Sequence, residues 1–428
     1  MTRTRTVAVA LGVTLAIEVA LYAVLIQHSE FGRHPPHAQW LAATSAPVWV
    51  VAVFLLSRLR LTPRRAAVLV VGVSAVLQLV ALTHAPSSSD DDYRYLWDAK
   101  VQLSGTDPYR YPPASPELAD LRDAAIFGRP DHCRYAIPGG CTSINRPTVR
   151  TIYPPVAEGA FTVIRVASFG GMGHHLPLQL AALLGSLAIG LLLLRRGPPW
   201  LAAVWAWCPV TVTEYANNAH IDWLAVLLVV LAFAATRTRW IGVLVGAAVA
   251  VKLYPALVLP ALMRRNWLVA VVAAAFVAVT YVPHVLAVGS DVIGYLPGYL
   301  HEEKYGSGGR LLLLGSVLPQ PADTVVGAVL LAAIALWAWL WARRDRIEQT
   351  ATLVVGVAFC IFTPSYGWYA GLLLALVALS GAIEWVPIVF APTFAYLIHS
   401  DHDTLIYSIA LLLTIVMAVV RHLDSLRT

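Results

Sequence analysis

Apolar and polar positions fall into long alternating blocks along this chain, and many of the apolar blocks are of membrane length. Runs at 7–25, 40–57, 66–82 and 177–194 carry almost no charge, and a helix needs roughly 17–25 mainly apolar residues to cross a bilayer. A further crossing is predicted at 267–282, others between 323 and 421, and shorter apolar pieces lie at 156–168, 200–213 and 241–263. The pattern predicts an all-α polytopic membrane protein, a bundle of roughly ten to thirteen transmembrane or re-entrant helices. It divides into two N-terminal helices in 1–65, a core in 66–286, a second outer loop at 287–322 and C-terminal helices in 323–428. The core includes a polar segment at 83–153, too long for a simple connector and therefore a folded loop on the membrane face.

Short arginine clusters punctuate the blocks, at Arg3 and Arg5, at Arg58, Arg60, Arg64 and Arg65, at Arg237 and Arg239, at Arg264 and Arg265, and at Arg343 and Arg344. Basic loops stay in the cytoplasm, so both termini are expected there and the loop at 83–153 outside. The count strains in two places. If both 156–168 and 177–194 cross, Arg195 and Arg196 lie outside; if the first is re-entrant, they lie inside, and the re-entrant reading is preferred. The run at 241–263 has basic flanks on both sides and carries Lys252, Pro255 and Pro260. A broken, re-entrant pair of short helices with Lys252 near the tip fits it best, since broken helices at membrane depth line cavities or pack on protein.

Composition narrows the classes. Of 428 residues 58% are hydrophobic and 13% charged, and the mean hydropathy is +0.69; so little charge cannot coat a water-soluble surface of this size. The net charge of +6 sits in loop clusters rather than in a basic stripe, which argues against nucleic acid as a partner. The run at 7–25 is too long for a signal-peptide core and lacks a small-residue cleavage site, so it reads as a retained first helix. Of four cysteines, Cys208 and Cys360 lie in apolar runs, while Cys133 and Cys141 share one polar loop. A small disulfide between Cys133 and Cys141 suits an oxidising compartment, and two cysteines with His132 fall short of a zinc site.

The densest chemistry follows the third helix, where Asp90, Asp91, Asp92, Tyr93, Arg94, Tyr95, Trp97 and Asp98 fall within ten residues of Ser89. A carboxylate cluster at the mouth of a membrane helix can take a proton from a hydroxyl or hold a cation; its plainer reading is a solvated turn. Glu214, His220 and Asp222 interrupt apolar sequence, where ionisable residues are functional candidates by default; the alternative is a hydrogen-bonded turn. Lys252 must find an anion or snorkel to the interface. A glycine-rich turn at 305–310 follows Glu302, Glu303 and Lys304 and ends in Arg310. Its amides and cations suit a phosphate, although no nucleotide-binding fingerprint accompanies them. With the acids collected on one side and Lys252 rising toward them, the set suits a lipid-borne, phosphate-linked substrate with a polyhydroxyl acceptor.

Several of these runs resemble a known family. The stretch from Asp90 to Asp98, the run from Asp107 to Pro113, Ile144 and Asn145 with Pro147, and the run from Thr151 to Ala157 look like bacterial GT-C glycosyltransferases that use polyprenyl-phosphate sugars. In particular they are similar to the mannosyltransferase-like group of actinobacterial envelope biosynthesis. Trp207 with Pro209, Glu214 with His220 and Asp222, Lys252 with Tyr254 and Pro255, and Trp368 with Tyr369 match the same pattern in order. The resemblance implies a GT-C-like bundle whose large first outer loop is catalytic, and an inverting transfer in which a loop aspartate deprotonates the acceptor. That role falls on Asp91, with Asp90 second. Tyr93, Arg94, Tyr95, Trp97, Asp98, Tyr153, Glu214, His220, Asp222, Lys252, Glu302, Glu303, Lys304, Arg310, Trp368 and Tyr369 become candidate substrate contacts.

The expected partners are a polyprenyl-phosphate sugar donor, mannose favoured over arabinose, a glycolipid or glycan acceptor, and the lipid bilayer, with the active site on the outer face of the plasma membrane. No cofactor is expected, and a divalent metal is not favoured. Tyr366 and Gly367 stand where the family often has His-Pro, and Cys208 where Asn is expected. Two other classes compete. A transporter or flippase of lipid-linked sugars would carry its acids near the bilayer midplane, whereas here they cluster at one face. A non-catalytic scaffold would tolerate Asp91→Asn.

Overall fold

In hydrocarbon every backbone N–H and C=O has to be satisfied within the protein, which drives the apolar blocks into helices. The computed structural model describes residues 2–28, 36–128, 134–168, 174–305, 309–398 and 402–426. It is 73% helical with almost no strand, an all-α polytopic membrane protein. Three helices open it, α1 (Thr2–His28), α2 (Pro36–Ser57) and α3 (Pro63–Ala81). α3 begins where Pro63 follows a Thr62 cap whose hydroxyl accepts from the Arg65 amide, two start signals that agree.

The polar segment at 83–153 then folds on the bundle. α4 (Asp91–Leu103) carries Asp91 and Asp92 in its first turn, where the helix dipole favours negative charge. A hairpin of β1 (Tyr135–Ile137) and β2 (Gly140–Thr142) covers it, with Tyr135 opposite Thr142. α5 (Pro155–Ala167) starts at Pro154 and Pro155, as the proline pair predicts, and is 13 residues long. At 1.5 Å per residue that is about 20 Å, short of a bilayer. It packs on α4 through Tyr95, whose ring stacks on Phe161 at 4.3 Å.

α6 (Leu176–Leu194) and α7 (Pro199–Ala206) lead to a turn of π-helix at Thr211–Asn217, which meets α8 (Asp222–Ala234) at a bend of 115°. α9 (Thr238–Val249) returns beside α8, and after Lys252 the chain reverses through a 3₁₀ turn at Tyr254–Val258 into α10 (Leu259–Met263). Lys252 meets Asp222 at 3.4 Å, so the tip of this broken hairpin and the start of α8 share one end of the bundle. α11 (Leu268–Val288), α12 (Leu296–Glu302), α13 (Leu312–Gly315) and α14 (Ala322–Leu340) follow. α15 (Ile347–Phe362), α16 (Ala370–Ser380), α17 (Val386–Ile398) and α18 (Asp403–Ser425) close the chain.

Six of the described helices are long and apolar enough to cross a membrane, a seventh if the bent pair counts as one span, and six shorter apolar helices accompany them. α16 is buried from Ala370 to Ala378, while α11, α14 and α18 turn residues such as Leu286, Val329 and Leu412 outward. A helix apolar all round belongs in a core or a bilayer. α16 takes the first place, and α11, α14 and α18 present the lipid-facing surface.

The two ends of the bundle differ in chemistry. Arg196 and Arg265 both approach Glu348, at 2.8 and 3.8 Å, and Arg264 donates to the Ala342 carbonyl at 2.7 Å. Arg195 and Arg196 therefore share an end with Arg264 and Arg265, which agrees with an α5 that turns back instead of crossing. At the opposite end Tyr396 of α17 donates to the Ser88 carbonyl at 2.6 Å, just before the aspartate run.

Candidate active site

At the N-terminus of α4 the three aspartates have three different fates. Asp92 is fully buried and pairs with His175, away from any opening. Asp90 is also buried; its carboxylate accepts from the Tyr135 hydroxyl and from Asn145 Nδ2, both at 2.7 Å. Burial raises its carboxyl to about 6, the Tyr135 hydrogen bond opposing and the Asp91 charge adding. Asp91 keeps 18% of its side chain exposed and accepts from Asn145 Nδ2 at 2.9 Å and from the Tyr153 hydroxyl at 3.2 Å. One amide thus holds Asp90 and Asp91 side by side, and Asp91 is the more open of the two.

Asp91 looks into a cavity of about 950 Å³. On one side stand Asn145, Arg146 and Arg150; on another, Lys252 and Tyr254 from the re-entrant tip; Tyr366, Trp368 and Tyr369 form an aromatic wall. Leu253, Leu257, Leu296, Leu300, Phe359 and Phe362 make the remainder apolar. The Lys252 ammonium lies 5.3 Å from the Tyr153 ring centroid and 5.5 Å from that of Tyr369, within cation–π range. It pairs with Asp222, which also accepts from the Tyr254 hydroxyl at 3.1 Å. Snorkelling is thereby set aside, because Lys252 has its anion at the tip.

The loops at 83–153 and 287–322 are tied over this cavity. Arg146, held at a left-handed φ of 47°, makes a forked contact with Glu302 at 2.6 to 3.0 Å, and Arg150 reaches Asp291 at 2.9 Å. The Arg146 hydrogen bonds hold the Glu302 carboxyl below its ordinary range. Gly294, at a φ of 58°, passes so close to the loop that an added Cβ would lie 1.9 Å from the Thr151 carbonyl oxygen. No side chain fits there.

Of the sequence candidates, Asp90, Asp91, Arg94, Tyr153, Lys252, Glu302, Trp368 and Tyr369 line the cavity. Tyr93, Tyr95, Trp97 and Asp98 lie outside its wall, because the helical period of α4 turns them into packing. Tyr93 meets His175 edge-on at 5.1 Å, Trp97 meets Phe127 at 4.7 Å, and Asp98 takes the Arg94 guanidinium at 2.9 Å. Beneath them Glu158, fully buried, accepts from Thr151 at 2.7 Å and from Gln102 at 2.9 Å. Burial, joined by the Asp98 charge, pushes the Glu158 carboxyl well up.

Glu303 and Arg310 pair with each other beside Tyr366, outside the cavity wall, and Lys304 is exposed. With Arg310 engaged by Glu303, the phosphate role expected of that turn has no support from its geometry; residues 306–308 lie outside the described residues. Cys141 is disulfide-bonded and Cys208 and Cys360 are free, while Cys133, its expected partner, lies outside the described residues. Among the described residues no group of three or more His, Cys, Asp or Glu is placed to hold a metal ion. Glu214 and His220 are buried behind Asp91, with His220 Nδ1 3.6 Å from Asp91 Oδ2 and Nε2 3.6 Å from Glu214 Oε2.

The sequence assigns no role to Asn145 or Arg146, although Asn145 holds the Asp90 and Asp91 carboxylates. Their signal was the Asn-x-Pro run itself, a polar side chain fixed just ahead of a proline. Tyr366 stands two residues before Trp368, where the resemblance leads one to expect His, and its place in the wall depends on the stacking of α15 against α16.

The model of glycosyltransferase family 87 matches residues 152–364. No curated protein and no solved structure matches the chain. The matched region begins one residue before Tyr153 and takes in Glu214, His220, Asp222, Lys252 and Glu302. That match, on an all-α membrane bundle with an acid-lined cavity at one end, supports a membrane glycosyltransferase of the GT-C type.

Proposed function

We propose that the protein transfers a sugar, mannose in preference to arabinose, from a polyprenyl-phosphate donor to a glycolipid or polysaccharide acceptor of the cell envelope, with inversion. Asp91 is the general base. The observation that carries this reading is its placement: the most open carboxylate of the aspartate run faces a cavity whose floor holds the Lys252 ammonium. The acceptor hydroxyl gives its proton to Asp91 as its oxygen attacks the anomeric carbon, and the bond from that carbon to the phosphate oxygen breaks on the opposite face. Inversion by one displacement needs one base and no covalent enzyme intermediate. Lys252 neutralises the phosphate before and after the bond breaks, and the aromatic wall takes the sugar. The apolar part of the cavity accepts the first isoprene units. The arginine end faces the cytoplasm by the positive-inside rule, which puts both termini there and the cavity on the outer face of the plasma membrane. No metal is required in this reading.

Purified protein in detergent, given short-chain polyprenyl-phosphate mannose or arabinose, with and without EDTA, tests it. One donor should be consumed by the wild type, Asp91→Asn should abolish turnover, and EDTA should leave it unchanged. Normal turnover by Asp91→Asn removes the base. Donor binding without consumption by the wild type favours a transporter of lipid-linked sugars.

A further inference from the structure

His220 is fully buried and does not line the cavity, yet both of its ring nitrogens lack a hydrogen-bond partner. Buried polar atoms are rarely left so, and each instance asks for an explanation. The ring is not loosely placed. Its face stacks on Trp368 at 4.0 Å between centroids, and Trp368 stacks on Tyr366 at 4.5 Å. Its backbone amide donates to the Glu214 carbonyl at 3.1 Å, and Ala219 before it is held at a positive φ of 57°. A residue forced into that region marks a conformation fixed by its surroundings. In this orientation Nδ1 points at Asp91 and Nε2 at Glu214, each at 3.6 Å. Hydrogen bonds of catalytic groups are commonly long in the empty site and tighten when substrate is bound.

Glu214 is fixed in turn. It accepts from Asn218 Nδ2 at 3.3 Å, and Gly367 gives it room, since an added Cβ there would come within 2.9 Å of Glu214 Oε1. The charged or titratable groups around His220 are Asp91 from α4, Glu214 from the π-turn, Asp222 from α8 and Lys252 from the re-entrant tip. Lys252 and Asp222 are ion-paired with each other at 3.4 Å, which leaves His220 to Asp91 and Glu214.

We propose that His220 is the positioning residue of Asp91, donating from Nδ1 to Asp91 Oδ2 with Glu214 holding its Nε2. This deepens the reading of Asp91 as base and rests on it. The arrangement requires two protons on the His220–Glu214 pair. A neutral imidazole bonded to a protonated Glu214, and an imidazolium bonded to an ionised Glu214, hold the same protons, and in both Nδ1 carries one. Asp91 then has Oδ1 on Asn145 and Oδ2 on Tyr153 and His220, and is presented to the cavity in one orientation. His220 touches no substrate and acts through Asp91.

The test compares wild type, His220→Phe, His220→Asn, Glu214→Gln and Asp91→Asn, with the same two short-chain donors. His220→Phe keeps a ring against Trp368 and removes both nitrogens; His220→Asn puts an amide N–H near the place of Nδ1. Expected for His220→Phe is a fall in kcat of about 10- to 100-fold with donor KM within about twofold. His220→Asn should recover most of kcat. Wild-type kcat in His220→Phe, with Asp91→Asn inactive, overturns the proposal and leaves His220 as a packing residue. Full activity in Asp91→Asn is a different failure, that of the base assignment itself.

A readout free of turnover covers variants that fold poorly. In ¹⁵N-histidine-labelled wild type, with the His220 signals assigned by their loss in His220→Asn, Nδ1 should resonate as protonated. An unprotonated Nδ1 overturns the proposal.

Discussion

The Tyr153 hydroxyl donates to Asp91 over 3.2 Å, and the face of the same ring lies under the Lys252 ammonium at 5.3 Å. One residue therefore touches the proposed base with its edge and the proposed phosphate cation with its face. Tyr153→Phe removes the first contact and keeps the second. A single hydrogen bond is worth about 1 kcal/mol, so kcat should drop by roughly tenfold or somewhat less with donor KM little changed. Tyr153→Ala removes both contacts and should raise KM as well. Steady-state kinetics on the two variants separate the roles.

Lys252 and Asp222 form a pair in which Asp222 is fully buried. Removing the cation alone strands a buried carboxylate, a change of about 3–5 kcal/mol. Lys252→Ala should therefore melt well below wild type in detergent. Adding Asp222→Asn should recover most of that stability but not donor binding, because the asparagine needs no counter-charge while the phosphate still does. Recovery of donor binding in the double variant would assign the phosphate to another residue.

The Asp90 carboxyl, raised by burial from 3.8 to about 6, gives a pH signature. Between those values the folded protein keeps a proton that the unfolded chain has released. Stability from this group is therefore fully present below about pH 4 and is lost as pH rises through about 6. The swing is on the order of 2–3 kcal/mol at about 1.4 kcal/mol per pKa unit. Asp90→Asn removes the titration, so its melting temperature should gain on wild type as pH goes from 4 to 7. Parallel melting curves across that range would contradict the assignment.

Gly294 sits against the Thr151 carbonyl at a positive φ. Gly294→Ala meets both backbone strain and a steric clash, and should destabilise the fold by at least about 1–3 kcal/mol. The loss should be accompanied by a raised donor KM, since Tyr295 beside it lines the cavity. Melting temperature and KM measured together check it.

The bundle was legible in the sequence because hydrocarbon leaves few choices. Apolar length marked the helices, and the arginine clusters sorted their ends well enough to prefer a re-entrant 156–168 and to put Lys252 at a tip. Within the aspartate run the sequence was less informative. Composition grouped Asp90 through Asp98 as one candidate site, but a helix of 3.6 residues per turn sends successive residues in different directions. That period turned Asp92, Tyr95 and Trp97 into packing and left Asp91 in the opening. Glu303 and Arg310 were separable in sequence and inseparable in space, each neutralising the other. The facing of His220 toward Asp91 was also hidden, since it depends on a π-turn and a 115° bend that no local pattern announced.

The reversal at Lys252 bears on how the protein is made. The loop with Asp91 emerges from the ribosome before α8 and the re-entrant tip, and both the Val156 and Ala157 amides end on the carbonyl of Ala250 in that tip. Until the tip is threaded back, the outer loop lacks the surface that seats α5 and the cavity lacks its cation. The loop therefore waits for the tip, and the cavity in turn waits for its aromatic wall from Tyr366 to Tyr369, which is made later still. A variant that let residues 241–263 run straight through the bilayer would invert every helix after it while leaving the aspartate loop on its original side.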